Sequence, residues 1–446
     1  MPGNVVPPWS RGTVDVELER HGTMDDGVGR PTVEEVRVSL RPMSGAIFVM
    51  AGPVTRQRGP VAALVSTAGW AQAAQRVLGR SWIVTAGGVI DPSQARARGA
   101  SPPRARVRAP GMRRALPTIV KTAVKDSRQL RRARGFSIAP DGPWVDTDVR
   151  FVWQRHELFE TAGLELARAL DVPSVLFVPA TLVWEANQWG VRRPGWGPYL
   201  ERRHEGPALR WADAVACGSD DVAEQVLRLG ADPDRILVTP TGVDLDLFDR
   251  DADPARTRSG LGVNDHFVIG WAGSFRRFHA LELLVEAARG IDDACLLLVG
   301  DGPERQRIEA LARRNGVRFV STGTVPHGEL PEVLAAMDVA VVTADGTARF
   351  HYSPLKIAEY LAAGLPVVAP TAGQLAERLH DGSDALLVEP GDSGALQQAL
   401  RRLRDDPALR ERLATGARIA ARRSWSWDHQ VRRVVDALDA LPRVLC

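Results

Sequence analysis

Three cysteines in 446 residues, Cys217, Cys295 and Cys446, are too few and too far apart for a disulfide framework or a cysteine metal site. Lysine is equally scarce, since Lys121, Lys125 and Lys356 are the only lysines among 57 basic residues. Such a wholesale use of arginine points to GC-rich coding, so arginine abundance alone is no argument for nucleic acid. Aromatic residues make up 6% of the chain, and none falls within the densest run of cations, where a base-stacking surface needs them. No nucleic-acid partner is expected. No apolar run approaches the 18 or more residues of a spanning helix, and the start, MPGNVVPPWSRG, lacks the apolar stretch of a signal peptide. These absences leave a soluble, cytoplasmic protein with room for two or three domains.

The charge that is present is unevenly placed. From Arg96 to Arg134 there are eleven Arg and two Lys against one acid, Asp126, a local charge of +12 in a chain whose net charge is +3. The rest of the chain is therefore acidic. Within this segment Leu116, Ile119, Val120, Ala123, Val124 and Leu130 recur at helical spacing. Arg113, Arg114, Lys121, Lys125, Arg128, Arg131 and Arg132 take the other positions. The pattern predicts an amphipathic helix whose apolar stripe packs inward or dips shallowly into lipid while the cations lie on an anionic bilayer surface.

Residues 1–42, rich in Gly, Pro and charge, read as a flexible lead-in carrying at most the short strand VEEVRVSL. From about residue 43 to 247 strand and helix alternate: AIFVMAG, a loop GPVTRQRGP, a helical stretch, SWIVTAG, then VRFVWQ, VPSVLFV, AVACGS and RILVTP. A polar stretch over 248–264 reads as a linker. Over 265–424 the alternation is cleaner, with FVIGWA, CLLLVG, VRFVS, VAVVTA, PVVAP and ALLVEP each followed by a helical segment, and residues 425–446 form a closing helix. Continuous apolar strands separated by helices indicate parallel sheets covered on both faces. The fold class is α/β, with two doubly wound, Rossmann-like domains facing a central cleft. Ligands on such sheets bind beyond the carboxyl ends of the strands, which places the site in that cleft.

Residues 351–364, HYSPLKIAEYLAAG, carry the clearest chemistry. Ser353 is a good N-cap, Pro354 suits the first helical position and Gly364 ends the helix, so a helix over 354–363 is bounded on both sides. Its free amides and macrodipole attract an anion, and Lys356 adds a full charge in the first turn. Glu359 follows on the same face, about 4.5 Å along the axis, a spacing that fits a diphosphate at the helix end and a ribose diol over the carboxylate. The plain alternative is a surface pair between Lys356 and Glu359. A second glycine loop, GWAGSFRRFH, and the turns LVGDGPE and STGTVPH end successive strands, where they converge on one ligand. Asp146 and Asp148 imitate a DxD metal motif but start a strand of the other half, so no metal is expected.

The C-terminal half resembles the retaining glycosyltransferases of family 4, which have the two-Rossmann GT-B fold, and among them a subset with the signature SPxKxxEYxAAGxPVV. Ser353, Pro354, Lys356, Glu359, Tyr360, Ala362, Ala363, Gly364, Pro366, Val367 and Val368 match it. LVGDGPE, GTVPH and GSFRRFH extend the likeness, and QRHELFETAGLELARALDVP, WADAVACGSDDVAEQVLRLG and ILVTPTGVD resemble that family's first domain. SWSWD resembles the start of its final helix, which crosses back to the first domain. The likeness covers roughly 150–440.

The resemblance implies a hexosyltransferase that moves a sugar from a nucleotide-sugar donor to an acceptor hydroxyl with retention, the first domain holding the acceptor and the second the donor. It assigns Glu359 to the ribose, the amides of Leu355 and Lys356 with the Lys356 ammonium to the diphosphate, and the backbone near Thr324 and Val325 to the base. Gly273, Ser274, Arg276, Arg277, His279 and Gly302 line the same donor site, with His279 or Arg277 supplying charge. Three positions depart from the common pattern. His351 stands where many relatives have the first of two glutamates, Ser274 where they have an arginine, and Pro179 where they have Asn or His near the acceptor. Glu185 and His156 are the remaining acid/base or acceptor-orienting candidates of the first domain. The cationic segment then lies in the acceptor half, which suggests a lipid-linked or cell-envelope glycan acceptor and a peripheral membrane location. No cofactor beyond the sugar nucleotide is implied. The alternative outside catalysis is a sugar-nucleotide-binding scaffold with the same fold.

Overall fold

Apolar runs rich in Val, Ile, Leu and Ala become buried strands of two sheets, with the helices between them covering both faces. The structure, a computed structural model, describes residues 44–51, 61–98, 117–188, 190–249, 252–346 and 355–441. They belong to one compact unit, Ser44–Cys446. The lead-in over 1–42, the loop GPVTRQRGP and the residues Arg113, Arg114, His351, Ser353 and Pro354 lie outside the described residues.

The first sheet contains β1 (Ser44–Met50), β2 (Gly79–Thr85), β3 (Gly88–Ile90), β4 (Asp148–Arg155), β5 (Ser174–Val178), β6 (Ala214–Cys217) and β7 (Ile236–Val238). Its order is β3-β2-β1-β4-β5-β6-β7. The second contains β8 (Phe267–Ala272), β9 (Ala294–Val299), β10 (Phe319–Gly323), β11 (Val339–Val341), β12 (Val367–Pro370) and β13 (Leu386–Val388), in the order β10-β9-β8-β11-β12-β13. Every pairing is parallel except that of β2 with β3, a short hairpin that the sequence pattern did not show. In each sheet the strand order reverses direction once, between β1 and β4 and between β8 and β11, and such switch points are where α/β sheets bind ligands.

The polar stretch expected as a linker is largely a helix, Pro254–Leu261. The Asp253 carboxylate accepts from the Arg256 amide at 3.0 Å, and Gly262 closes the helix at φ 68°. The last helix, Trp427–Ala440, lies against the helix Val61–Leu78 of the first sheet's layer. Trp427 sits 5.6 Å from Trp70, and a Cβ at Gly69 would fall 2.2 Å from the Trp427 Nε1, so only glycine admits the indole there. Arg76 pairs with Asp428 and Arg150 with Asp439 across the same contact. Trp427, Val431 and Val434 thereby join the core that holds Phe48, Trp70, Trp153 and Phe177.

The basic helix forms over Thr118–Ala133, and its inward side is only partly the expected apolar stripe, of which Ala123 and Leu130 are half-buried. Thr122 and Asp126 are its buried residues, while Ile119, Val120 and Val124 are 47%, 40% and 40% exposed. The reason is the one acid of the segment. Asp126 accepts from Arg193 Nε at 2.8 Å and Nη2 at 3.0 Å and from Trp196 Nε1 at 3.0 Å. Burial alone would raise the Asp126 pKa, and these partners bring it below the ordinary aspartate value. A buried bidentate ion pair outweighs three aliphatic side chains in fixing the rotation of the helix, because leaving either charge alone inside costs about 3–5 kcal/mol. Lys121, Lys125, Arg128, Arg131 and Arg132 are all exposed, on the same outward side as Val120 and Val124.

Candidate functional site

The three strand ends of the donor half are stitched backbone to backbone. Beyond β8 the Gly273 amide donates to the Val299 carbonyl at 2.9 Å and the Phe275 amide to that of Asp301 at 3.2 Å. Beyond β9 the Gly300 amide donates to the Gly323 carbonyl at 2.8 Å, at the end of β10. A Cβ at Gly300 would lie 2.0 Å from the Gly273 oxygen, and one at Gly302 would lie 2.6 Å from the Phe275 nitrogen. Gly273 and Gly300 also have φ of 153° and 123°, conformations that favour glycine. No side chain fits between these loops, so they form a fixed backbone platform.

The helix Leu355–Ala362 enters beside this platform, and Gly364 ends it at φ 66°. Leu355 packs against the core of the first sheet, so the start of the helix meets the other domain. Lys356 is buried, with Nζ 4.1 Å from the centroid of the Trp271 ring. A Cβ at Gly273 would lie 2.8 Å from that nitrogen, which places the amine directly at the Gly273 loop. Nζ has no hydrogen-bond partner among the described residues. Burial pushes its pKa down to about 7, opposed only by the charge of Glu359. The amine is thus held ready for an anion, resting meanwhile on an aromatic face. Glu359 is buried one turn on and meets His327 Nε2 at 3.0 Å. Tyr360 accepts from the Ala272 amide at 2.6 Å, tying the helix to the end of β8.

Of the residues expected at the donor site, Gly273, Gly302, Leu355, Lys356 and Glu359 are brought together in this way. Ser274, Arg276 and Arg277 are exposed on the loop after β8, Thr324 is exposed and Val325 half-buried. His279 must be taken out of the charged set. It is buried against Trp271 and Phe278, and burial, Lys356 and Arg276 push its pKa down to about 2, so the ring is neutral. His327 and Trp271 were not singled out from the sequence, although the GTVPH turn that carries His327 was.

In the first domain the ends of β4 and β5 hold the second cluster. His156 and Glu205 are both buried, and His156 Nε2 lies 3.0 Å from Glu205 Oε1. Glu185 is half-buried on the short helix Leu182–Gln188, and its charge bears on Arg155, the last residue of β4. Arg155 lies over the Phe177 ring at 5.9 Å. Glu160 is buried with Oε2 lacking a partner among the described residues, and burial with the charge of Glu157 raises its pKa to about 7. Sequence reading had isolated His156 and Glu185 but neither Arg155 nor Glu205. Among the described residues no group of three or more His, Cys, Asp or Glu is placed to hold a metal ion.

Known proteins share both halves of this arrangement. Residues 88–247 match the family described as Glycosyltransferase Family 4, and residues 266–406 match Glycosyl transferases group 1. The D-inositol 3-phosphate glycosyltransferase of Thermomonospora curvata is 31% identical over 327 residues, 62% of this chain and 74% of that protein. The chain belongs to glycosyltransferase family 4. Another family 4 relative, the enzyme of the same description from Xylanimonas cellulosilytica, is 34% identical over 66% of this chain and 71% of its own length. The GT-B architecture has solved counterparts. Anabaena HepE in complex with UDP and glucose superposes with a TM-score of 0.61 at 17% identity, covering 89% of this chain and all of that one. Sucrose-phosphate synthase from Thermosynechococcus elongatus gives 0.61 at 19% identity over 88% of this chain and 98% of its own. The protein is thus a glycosyltransferase of GT-B type. Among the described residues no helix is long and apolar enough to cross a membrane.

Proposed function

We propose that the protein transfers a hexosyl unit from a nucleotide-sugar donor to an acceptor hydroxyl with retention at the anomeric carbon. The observation that carries this reading is the buried Lys356 amine, aimed at a backbone platform of three glycine loops and lacking an acceptor among the described residues. A diphosphate set against the helix start receives its amides and this amine, while Glu359, steadied by His327, accepts the ribose hydroxyls. Arg276 and Arg277 add charge from the rim, and the backbone near Thr324 and Val325 faces the base. Charge that develops on the departing nucleotide diphosphate is stabilised by fixed amides and cations, which do so without reorganisation or a metal. The acceptor hydroxyl attacks from the leaving-group side, so no separate enzymic nucleophile enters. His156 and Glu185, at the strand ends of the first domain, orient the acceptor.

The acceptor reading follows from the basic helix. Val120 and Val124 share an exposed side with its cations, an arrangement suited to an anionic bilayer surface and hence to a lipid-linked or envelope glycan acceptor. The test of the donor site is a thermal-shift comparison of UDP-, GDP-, ADP- and dTDP-sugars on the wild type and on Glu359→Ala. One nucleotide class is expected to raise the wild-type Tm and to lose most of that effect in the variant. A donor that stabilises both equally refutes the assignment of Glu359.

A further inference from the structure

Residues 201–205 are ERRHE. In the fold Glu201–Glu205 is a π turn between the helices Gly197–Leu200 and Gly206–Trp211, and the wider turn leaves Arg202 and Arg203 outside while Glu205 points inward with no exposed surface. Among the described residues no lysine or arginine pairs with this carboxylate. Its partners are the Leu182 amide at 2.6 Å and His156 Nε2 at 3.0 Å, both on Oε1, and the Val183 amide at 3.2 Å on Oε2. Burial acts to raise its pKa, and the hydrogen bond and charge of His156 with the two amides bring it below the ordinary glutamate value.

An ionised carboxylate can only accept, so the imidazole nitrogen that faces it carries the proton. The other nitrogen, Nδ1, is then a bare lone pair whenever the ring is neutral. It is buried and has no partner among the described residues. Thr181 Oγ1 is in the same condition, and Thr181 immediately precedes the amide that shares Oε1 with His156. One oxygen therefore draws the ring at the end of β4 and the turn after β5 to the same point. A pair consisting of a bare nitrogen and a hydroxyl, backed by a negative charge, suits a neutral hydroxyl-bearing ligand and disfavours an anion.

We propose that Glu205 is the positioning residue of His156, holding its ring with the Nε2 proton turned inward so that Nδ1 accepts a hydrogen bond from a sugar or polyol hydroxyl in the cleft, with Thr181 as the second contact. The proposal rests on the glycosyl-transfer reading for the identity of that hydroxyl, and on the geometry alone for the tautomer. Its test uses the full chain labelled with 15N in histidine, the His156 signals being those lost in His156→Asn. The neutral form of the wild-type ring is expected to carry its proton on Nε2 with Nδ1 bare. Glu205→Gln, which replaces one acceptor oxygen by a donor amide, is expected to move ring proton density to Nδ1. With UDP-glucose as donor probe, UDP release is expected to fall about a hundredfold in Glu205→Gln. His156→Asn and the double variant should fall to the same level, with UDP affinity unchanged. A wild-type proton on Nδ1, a ring unmoved in Glu205→Gln, or losses that multiply in the double variant overturn the proposal. Should Glu205→Gln fail to fold, the wild-type tautomer decides. Absence of any sugar-nucleotide turnover, with the tautomer as expected, would instead remove the glycosyl-transfer reading and leave the role of Glu205 standing.

Discussion

The buried amine of Lys356 makes donor binding a proton-uptake reaction. In the free protein its pKa is about 7, because the site strips its water and only Glu359 offers an opposite charge. His279 does not share the titration, since burial and its cationic neighbours keep the ring neutral, with a pKa of about 2. A bound diphosphate supplies the missing counter-charge and raises the lysine pKa, so the complex holds the proton over a range in which the free protein has lost it. The affinity is therefore full below about pH 7 and falls as pH rises. At pH 8 the free protein keeps the proton in about one molecule in eleven, which costs about 1.4 kcal/mol of binding free energy. Between pH 6.5 and 8.5 the Kd for UDP-glucose should rise about 25-fold. Its diphosphate is a diester, which avoids the second phosphate ionisation of UDP. Isothermal titration in buffers of different ionisation enthalpy reads the proton uptake directly. Lys356→Met should bind weakly at every pH, with no slope and no uptake. A Kd that is flat over this range in the wild type, or a slope that survives in Lys356→Met, would refute the reasoning.

Gly300→Ala should destabilise the second domain by several kcal/mol and abolish UDP-glucose binding, because the methyl group overlaps the Gly273 carbonyl and φ is 123°; urea denaturation and titration check the two effects. Trp427→Ala should cost about 3–5 kcal/mol, read as a shift in the urea midpoint, since the indole fills the core between Trp70 and the two glycines pressed on it, Gly69 and Gly242. Liposomes containing anionic lipid should sediment the wild type at low salt. Raising the salt or introducing Arg128→Glu, Arg131→Glu and Arg132→Glu should release it, and salt-insensitive or absent binding would dismiss the membrane surface.

The donor half was legible because its signals are local. Strands β8, β9, β11 and β12 are unbroken apolar runs, and the helix Leu355–Ala362 has its stop written in Gly364. What was not legible depends on partners far away in the sequence. The basic helix has an apolar stripe by pattern, yet Asp126 meets Arg193 67 residues later, and that buried pair turns part of the stripe outward. Periodicity carries no information about such a partner. His279 follows a glycine loop with two arginines and looked like a further cation, but the Trp271 and Phe278 rings exclude the water that a charge requires. Glu205 was not singled out from the sequence, because the π turn that takes it inside is invisible to a count of helical spacing. Within the stretch read as a linker, 248–264, a short helix was not singled out, although Asp253 and Gly262 are an ordinary N-cap and a left-handed stop.

The helix Trp427–Ala440 also governs when the protein can fold. Because Trp427, Val431 and Val434 complete the core around Trp70 and Trp153, the first domain lacks part of its interior until nearly the whole chain has left the ribosome. The second domain needs none of those residues, but its own core takes in Ala421 and Trp425 and is completed at nearly the same point of synthesis. At about 5–20 residues per second, the interval between synthesis of β7 and of this helix is on the order of ten seconds or more. During that time the aromatic face of the first sheet has no permanent cover. The two domains are thus completed almost together, although the first is synthesised well before the second.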